Sequence, residues 1–258
     1  MGKIIAVTNQ KGGVGKTTTC INLAAAVKNR GKRVLVIDMD PQGNCTSGLG
    51  LDKSTEPNIY DVLVGREQAK DAVIQGKFCH VIPANKDLSG ASVELVEAEG
   101  REYILRKALE PIQEQYDYLF IDCPPSLELL TLNALTAADS VLIPVQCEYY
   151  AMEGLADLTG TVKLCQKKLN PGLRIEGLVL TMYDGRVRLS AQVEAEVRQY
   201  FGDAVYKTMI PRNVRLSEAP SYGMPVSAYD RLSKGSLAYG KLAKEFLRRQ
   251  KQAEAEKE

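Results

Sequence analysis

Residues 10–17 read Gln-Lys-Gly-Gly-Val-Gly-Lys-Thr, and this stretch with its flanks decides the fold. The apolar, β-branched run at 3–8 before it predicts a strand. Helical spacing of apolar residues follows and stops at Gly31, and residues 33–38 predict a second, buried strand. Strand, helix and strand within so short a segment form a βαβ unit, which implies that the two strands are parallel.

The same alternation continues along the chain. We predict three more strands, at 118–122, 140–145 and 173–182, and four more helices, at 88–110, 127–138, 152–169 and 234–250. Residues 43–78 are less regular, and no linker or repeat marks a domain boundary. The predicted fold class is therefore α/β, a single domain at 1–250 whose mostly parallel sheet is flanked by helices on both faces. We expect the polar tail at 251–258 to be frayed.

Composition narrows the classes of function. The chain has 258 residues, of which 45% are apolar and 25% charged, so it can bury a sizeable core. A formal net charge of +1 excludes a strong global attraction to nucleic acid or acidic membrane, and any such binding needs a local patch. No apolar run approaches the roughly 18 residues that span a bilayer. Six cysteines without a Cys-x-x-Cys pair and a single histidine argue against zinc or disulfides and fit a reducing cytosol.

The glycine-rich loop has the chemistry of a phosphate site. Its glycines can turn the backbone so that successive N–H groups face one anion, and the following helix adds its positive N-terminal end. Lys16 can reach the β- and γ-phosphates, and Thr17 offers a hydroxyl to Mg²⁺. The alternative is a glycine-rich turn with a chance lysine, which the strand–loop–helix context disfavours. The predicted nucleotide-binding residues are Lys11, Gly12, Gly13, Val14, Gly15, Lys16, Thr17 and Thr18.

The loop departs from the strict P-loop pattern, because Gln10 stands where that pattern has glycine and Lys11 adds a second lysine. In this it resembles the deviant Walker A family of P-loop NTPases, whose motif is Lys-Gly-Gly-x-Gly-Lys-Thr. The resemblance implies an ATP-dependent sandwich homodimer in which Lys11 reaches the nucleotide of the other subunit. The alternative for Lys11 is a solvated loop charge.

Three aspartates end strands at the edge that holds the loop. Asp38 and Asp40 close the second strand, and Asp122 ends the third predicted strand in Leu-Phe-Ile-Asp-Cys-Pro-Pro. Ligands of open α/β sheets bind at this edge, and an apolar strand ending in Asp is the Walker B arrangement for Mg²⁺. Each aspartate alone could be a turn former. The resemblance assigns Asp40 to positioning the hydrolytic water and Asp122 to Walker B, and we expect Asp38 to support the metal.

The predicted catalytic residues are therefore Lys11, Lys16 and Asp40. The predicted metal site comprises Thr17, Asp38 and Asp122. The implied cofactors are ATP or ADP with Mg²⁺.

Four stretches, at 9–19, 38–50, 121–126 and 210–223, resemble the ParA/Soj chromosome-partitioning ATPases. In that family the residues matching Pro211 and Asn213 lie against adenine, and an asparagine amide can donate to and accept from a base edge. A structural Pro-Asn turn is the alternative.

Basic residues concentrate in the last third of the chain. Residues 181–258 hold 14 lysines and arginines against 10 acidic residues, whereas residues 1–180 hold 19 against 22. The resemblance implies that Arg186 and Arg215 contribute to nonspecific DNA binding across the dimer, with Arg188 a weaker candidate. We expect both segments to be loops, and ordinary solvated charge is the alternative.

The resemblance implies a cytoplasmic, nucleoid-associated ATPase that segregates DNA with a ParB-type partner. The main rival is a membrane- or cargo-positioning ATPase of the MinD type, and a phosphotransferase using the same loop is a third possibility. We expect no membrane binding, because the acidic tail would be repelled by anionic lipid. We expect the last helix to pack on the domain instead.

Overall fold

A single seven-stranded sheet organises the computed structural model, which describes residues 1–255. Its strands are β1 (Lys3–Val7), β2 (Val34–Asp38), β3 (Ile74–Gln75), β4 (His80–Ile82), β5 (Tyr118–Asp122), β6 (Ser140–Gln146) and β7 (Arg174–Thr181). Their order is β3-β4-β2-β5-β1-β6-β7, and all neighbours are parallel except the β3–β4 pair. The predicted mostly parallel α/β sheet is confirmed.

Helices cover both faces of this sheet. They are α1 (Lys16–Lys28), α2 (Asn44–Gly48), α3 (Ile59–Leu63), α4 (Leu88–Glu94), α5 (Ile104–Leu109), α6 (Leu129–Ala137), α7 (Ala151–Lys168), α8 (Arg188–Phe201), α9 (Val214–Glu218), α10 (Val226–Tyr229) and α11 (Lys234–Ala255). Within residues 1–255, no helix is both long and apolar enough to cross a bilayer.

Two cores result, because successive side chains of a strand point to opposite faces. In β1, Ile4 and Ala6 join one core and Ile5 and Val7 join the other. The first core includes apolar residues of α5 to α8, and the second includes those of α1 and α11. The central strands are buried on both faces and therefore lack polar alternation, as parallel strands do.

Three local predictions need correction. The helix expected at 88–110 is interrupted, because α4 ends at Glu94 and α5 begins only at Ile104. Between them lie Gly100, with a left-handed φ of 65°, and a 3-10 turn at Arg101–Tyr103. Arg188 begins α8 and Arg215 lies in α9, so neither is in a loop. Strands β3 and β4 were not predicted.

The last helix packs on the domain as expected. Leu242 and Phe246 are completely buried in the second core. The helix continues to Ala255 with residues 251–255 exposed, and residues 256–258 of the predicted tail lie outside the described residues.

Candidate functional site

The candidate site lies where the parallel strands end. Register pairing places Val7, the last residue of β1, beside Asp122, and places Asp38 on the other side of Asp122. The glycine-rich loop follows β1 directly and leads into α1. The predicted loop and two of the three predicted aspartates therefore meet at one edge of the sheet.

Two glycines set the shape of the loop. Gly13 and Gly15 have φ of 74° and 90°, a region that side chains with a Cβ rarely adopt. A Cβ at Gly13 would meet nothing within 4 Å, so the requirement there is conformational rather than spatial. Gly15 caps the N-terminus of α1, where the first N–H groups of the helix have no partner within it. This is the geometry that binds phosphate.

The two lysines of the loop have different environments. Lys16 is 7% exposed, and its Nζ donates to the carbonyl oxygen of Lys11 at 3.1 Å. Burial lowers the pKa of Lys16, although the charge of Asp122 opposes that shift. The Lys11 side chain is partly exposed, and its Nζ lies 3.1 Å from Oε2 of Glu148. Lys16 thus points into the site, while Lys11 is held at its margin.

The environment of Asp122 indicates a bound ligand more clearly than that of any other residue described in the site. It is completely buried, and neither carboxylate oxygen has a hydrogen-bond partner among residues 1–255. Burial raises the pKa of Asp122 well above its ordinary value, and the neighbouring Asp38 raises it further. A buried carboxylate without partners is costly, and Mg²⁺ prefers such hard oxygen ligands. The residues present therefore fit a magnesium site.

Asp38, in contrast, has its hydrogen bonds supplied by the protein. Its Oδ2 accepts from the backbone N and the Oγ1 of Thr46, at 2.8 and 2.7 Å, and its Oδ1 accepts from the backbone N of Asp40 at 3.1 Å. Burial raises the pKa of Asp38 to about 6. With both oxygens engaged, Asp38 suits the supporting role expected for it, beside Asp122.

Asp40 and Thr17 complete the phosphate end of the site. Asp40 is nearly buried, and its Oδ1 accepts from the backbone N of Gln42 at 2.9 Å, which shapes the turn after β2. Its other oxygen has no such bond within the described chain. Thr17 lies in the first turn of α1, next to Lys16, and is partly exposed.

A cavity of about 260 Å³ adjoins the loop. Pro211 and Asn213 line it together with Gly15 and Thr18, so the structure brings the predicted base-binding residues to the phosphate loop. The side-chain Oδ1 of Asn213 is buried and has no hydrogen-bond partner among residues 1–255. Such an acceptor can be satisfied by an amino group of a base.

Sequence reasoning missed four contributors to the site. Thr181 ends β7, and its Oγ1 donates to the carbonyl oxygen of Val14 at 2.8 Å. Met182 lines the cavity with an unusual φ of 50°. Thr46 and Glu148 hold Asp38 and Lys11, as described above. Only Thr181 carried a signal, because it is a polar residue at the end of a strand; the other contacts depend on tertiary structure.

The two arginines proposed to contact DNA both have acidic partners. Arg186 is 90% exposed, and its guanidinium binds Asp184 at 2.7 Å. Arg215 binds Glu218 at 2.8 Å and Asp230 at 3.3 Å. Neither lines the cavity that adjoins the glycine-rich loop, whereas Arg212 does.

Comparisons with known proteins agree with this geometry. A family model described as an AAA domain matches residues 2–175. The sporulation initiation inhibitor protein Soj of Bacillus subtilis is 58% identical over 95% of this chain and 98% of that protein. The chromosome partitioning protein ParA of Myxococcus xanthus is 52% identical over 96% of this chain and 89% of that protein. The structure of a cobyrinic acid a,c-diamide synthase from Mycobacterium smegmatis with bound ADP and magnesium has a TM-score of 0.86 and 38% identity, over 97% of this chain and 96% of that one.

Proposed function

The chain belongs to the ParA/Soj family of chromosome-partitioning ATPases, and from this premise we propose that it is a Mg²⁺-dependent ATPase that segregates DNA as an ATP-bound homodimer. The observation that carries the proposal is Asp122, a buried carboxylate without a partner, at the strand end beside Lys16. The relatives named for partitioning are more similar in sequence than the one named as a synthase, so we adopt their activity.

The residues of this chain divide the chemistry among them. The loop N–H groups and Lys16 hold the β- and γ-phosphates, and Pro211 and Asn213 hold the base. Thr17 and Asp122 would hold Mg²⁺, which neutralises charge on the phosphates when bound, and Asp38 would support this site from the neighbouring strand end. The free oxygen of Asp40 orients the attacking water, which is the main protein contribution to a largely dissociative phosphoryl transfer.

Dimerisation would complete each site with a residue from the other subunit. Lys11 lies at the margin of its own site, with a partly exposed side chain, and this position supports a role across the interface. Two DNA patches brought together in the dimer would bind much more tightly than one, which couples DNA affinity to the nucleotide state. A ParB-type partner that stimulates hydrolysis, and a cytoplasmic, nucleoid-associated location, are inferred from the family alone.

The rival is a MinD-type positioning ATPase that binds membrane. The packing of α11 favours the DNA function, because Leu242 and Phe246 are already buried in the core and are not available to insert into lipid.

Asp40→Ala tests the proposed division between binding and hydrolysis. The variant should bind ATP normally but hydrolyse it slowly, so that the dimer accumulates. Size-exclusion chromatography with ATP and a phosphate-release assay would measure both, with the exposed Asp157→Ala as control. A variant that stays monomeric, or that turns over at the wild-type rate, would contradict the role of Asp40.

A further inference from the structure

The exposed face of α11 carries a regular row of cations. Lys234, Lys241, Lys244, Arg248 and Lys251 are all exposed, and they recur at spacings of three, four or seven residues. Residues so spaced lie on one face of a helix, and about 17 residues of helix extend over about 25 Å. We call these five residues the α11 cationic row.

Two cations from other parts of the chain extend this surface. A groove of about 580 Å³ is lined by Lys241, Lys244, Arg248 and Lys251, and also by Arg30 in the turn after α1 and Lys207 before α9. Arg30 is fixed against α11, because its guanidinium donates to the carbonyl oxygen of Gly240. The positive surface is therefore assembled by three separate segments of the fold.

Acidic partners are missing from this surface. Among residues 1–255, no carboxylate oxygen lies within 4.0 Å of the cationic nitrogens of the row, of Arg30 or of Lys207. The one carboxylate that lines the groove, Glu245, is buried and already accepts from the backbone N of Lys207 and of Thr208 and from Arg249. Arg186 and Arg215, in contrast, are each paired with carboxylates.

We propose that the α11 cationic row, with Arg30 and Lys207, is a contact surface for the phosphate backbone of duplex DNA. This inference rests on the proposed function and names a surface for it beyond Arg186 and Arg215. Unpaired cations release counterions on binding phosphates without first breaking an ion pair, and a row of this length can follow several phosphates. Backbone contacts of this kind carry no base readout, which fits nonspecific binding.

Duplex DNA suits the surface better than a membrane does. Binding of a helix at a lipid interface needs an apolar face to bury among the acyl chains. The apolar face of α11, with Tyr239, Leu242 and Phe246, is already buried in the protein. The exposed positions of α11 are mostly charged. Leu237 is the only large apolar residue among them in the described part of the helix.

The test is the double variant Lys244→Gln/Arg248→Gln, with Lys167→Gln/Lys168→Gln on α7 as a control of equal charge. Both pairs lie at the surface of the protein, so neither change should disturb the fold or ATP hydrolysis without DNA. DNA affinity would be measured by fluorescence anisotropy with ATP and Mg²⁺ over a range of salt. Anionic phospholipid vesicles would form a second arm.

We expect the row variant to bind DNA about tenfold more weakly or worse, and its salt slope to fall by roughly 0.9 for each phosphate that it no longer neutralises. The control should bind DNA like the wild type. The charge-conserving variant Lys244→Arg/Arg248→Lys should also bind DNA like the wild type, because only the positive charge is required. Equal affinity of the row variant and the control would overturn the inference while leaving the proposed function intact. Selective loss of vesicle binding would also overturn it. A wild type that binds no DNA with ATP would instead refute the DNA part of the proposed function.

Discussion

Both edges of the central sheet bury polar groups, but among residues 1–255 only the carboxyl edge buries a carboxylate that has no hydrogen-bond partner. At the amino edge, the buried carboxylate of Glu176 accepts from Lys3 and Ser140, at 2.6 Å each, and from Gln250. Asn170 donates to three backbone carbonyl groups near the end of α6. At the carboxyl edge, Asp122 and the Oδ1 of Asn213 are buried without partners in the described chain.

Buried polar side chains with hydrogen-bond partners stabilise the fold, whereas those without partners are satisfied only when a ligand binds. A satisfied buried network lowers the free energy of the folded chain on its own, whereas an unsatisfied one raises it until something binds. The same kind of side chain should therefore respond in opposite ways to the same substitution at the two edges.

Lys16→Ala should have the largest effect, because it removes the charge that faces the phosphates at the carboxyl edge. A charge-assisted hydrogen bond contributes about 1.5–3 kcal/mol, so ATP affinity should fall by roughly 10- to 150-fold. Titration calorimetry measures it, with the exposed Lys167→Ala as control. Wild-type affinity in the Lys16 variant would refute the phosphate-loop assignment.

Asn170→Ala should have the next largest effect, and on stability rather than binding. It leaves the carbonyl groups of Leu135, Thr136 and Ala138 without the side-chain donor. Loss of these buried bonds should lower the free energy of unfolding by about 3 kcal/mol. Urea denaturation would measure this, with the exposed Asn29→Ala as control. ATP affinity should be unchanged, and a fall in it would mean that the two edges are not independent.

The sequence predicted the carboxyl edge better than the amino edge, for a physical reason. Phosphate and metal chemistry needs particular residues at short, fixed spacing, so Gly13, Lys16 and Thr17 could be identified from one octapeptide. Asp38 and Asp122 followed from their places at strand ends. The partners of Glu176 come from β1, β6 and α11, which only the folded chain brings together.

Features that do not depend on short, fixed spacing in the sequence were predicted less well, for the same reason. The helix predicted at 88–110 ends at Glu94, and Gly100 then adopts a left-handed backbone conformation that apolar spacing does not encode. Sequence spacing alone also did not predict the ion pairs of Arg186 and Arg215, although their partners Asp184 and Glu218 lie close to them in sequence. Counting basic and acidic residues along the sequence showed that the last third of the chain is basic. It did not show that many of these cations share one face of α11.

Replacing a carboxylate by an amide should have opposite signs at the two edges. Asp122→Asn should raise the stability of the protein without nucleotide or Mg²⁺ by about 2 kcal/mol, because the folded chain no longer has to keep this carboxyl either charged without a partner or protonated above its ordinary pKa. Glu176→Gln should lower it by about 2 kcal/mol, because the Lys3 ammonium loses its charged acceptor. Urea denaturation of both variants compares them directly. Stabilisation by Mg²⁺-ATP should be lost only in the Asp122 variant, and destabilisation by Asp122→Asn would contradict the contrast.

The smallest effect concerns the pH dependence of stability, and it arises from Asp38. Burial raises the pKa of Asp38 from its ordinary 3.8 to about 6, so the folded protein binds this proton more tightly than the unfolded chain does. Stability from this group is therefore greatest below pH 4 and falls as the pH rises from about 4 to about 6, by up to about 2 kcal/mol. Asp38→Asn cannot titrate, and it loses hydrogen bonds from Thr46 at every pH. That loss shifts the whole curve of unfolding free energy against pH without changing its slope.

Urea denaturation of the wild type and of Asp38→Asn, from about pH 4 to about pH 8 and without Mg²⁺ or nucleotide, measures this effect. The difference in unfolding free energy between the two proteins should change below about pH 6 and stay constant above it. A difference that is constant over the whole range would mean that Asp38 keeps an ordinary pKa despite its burial.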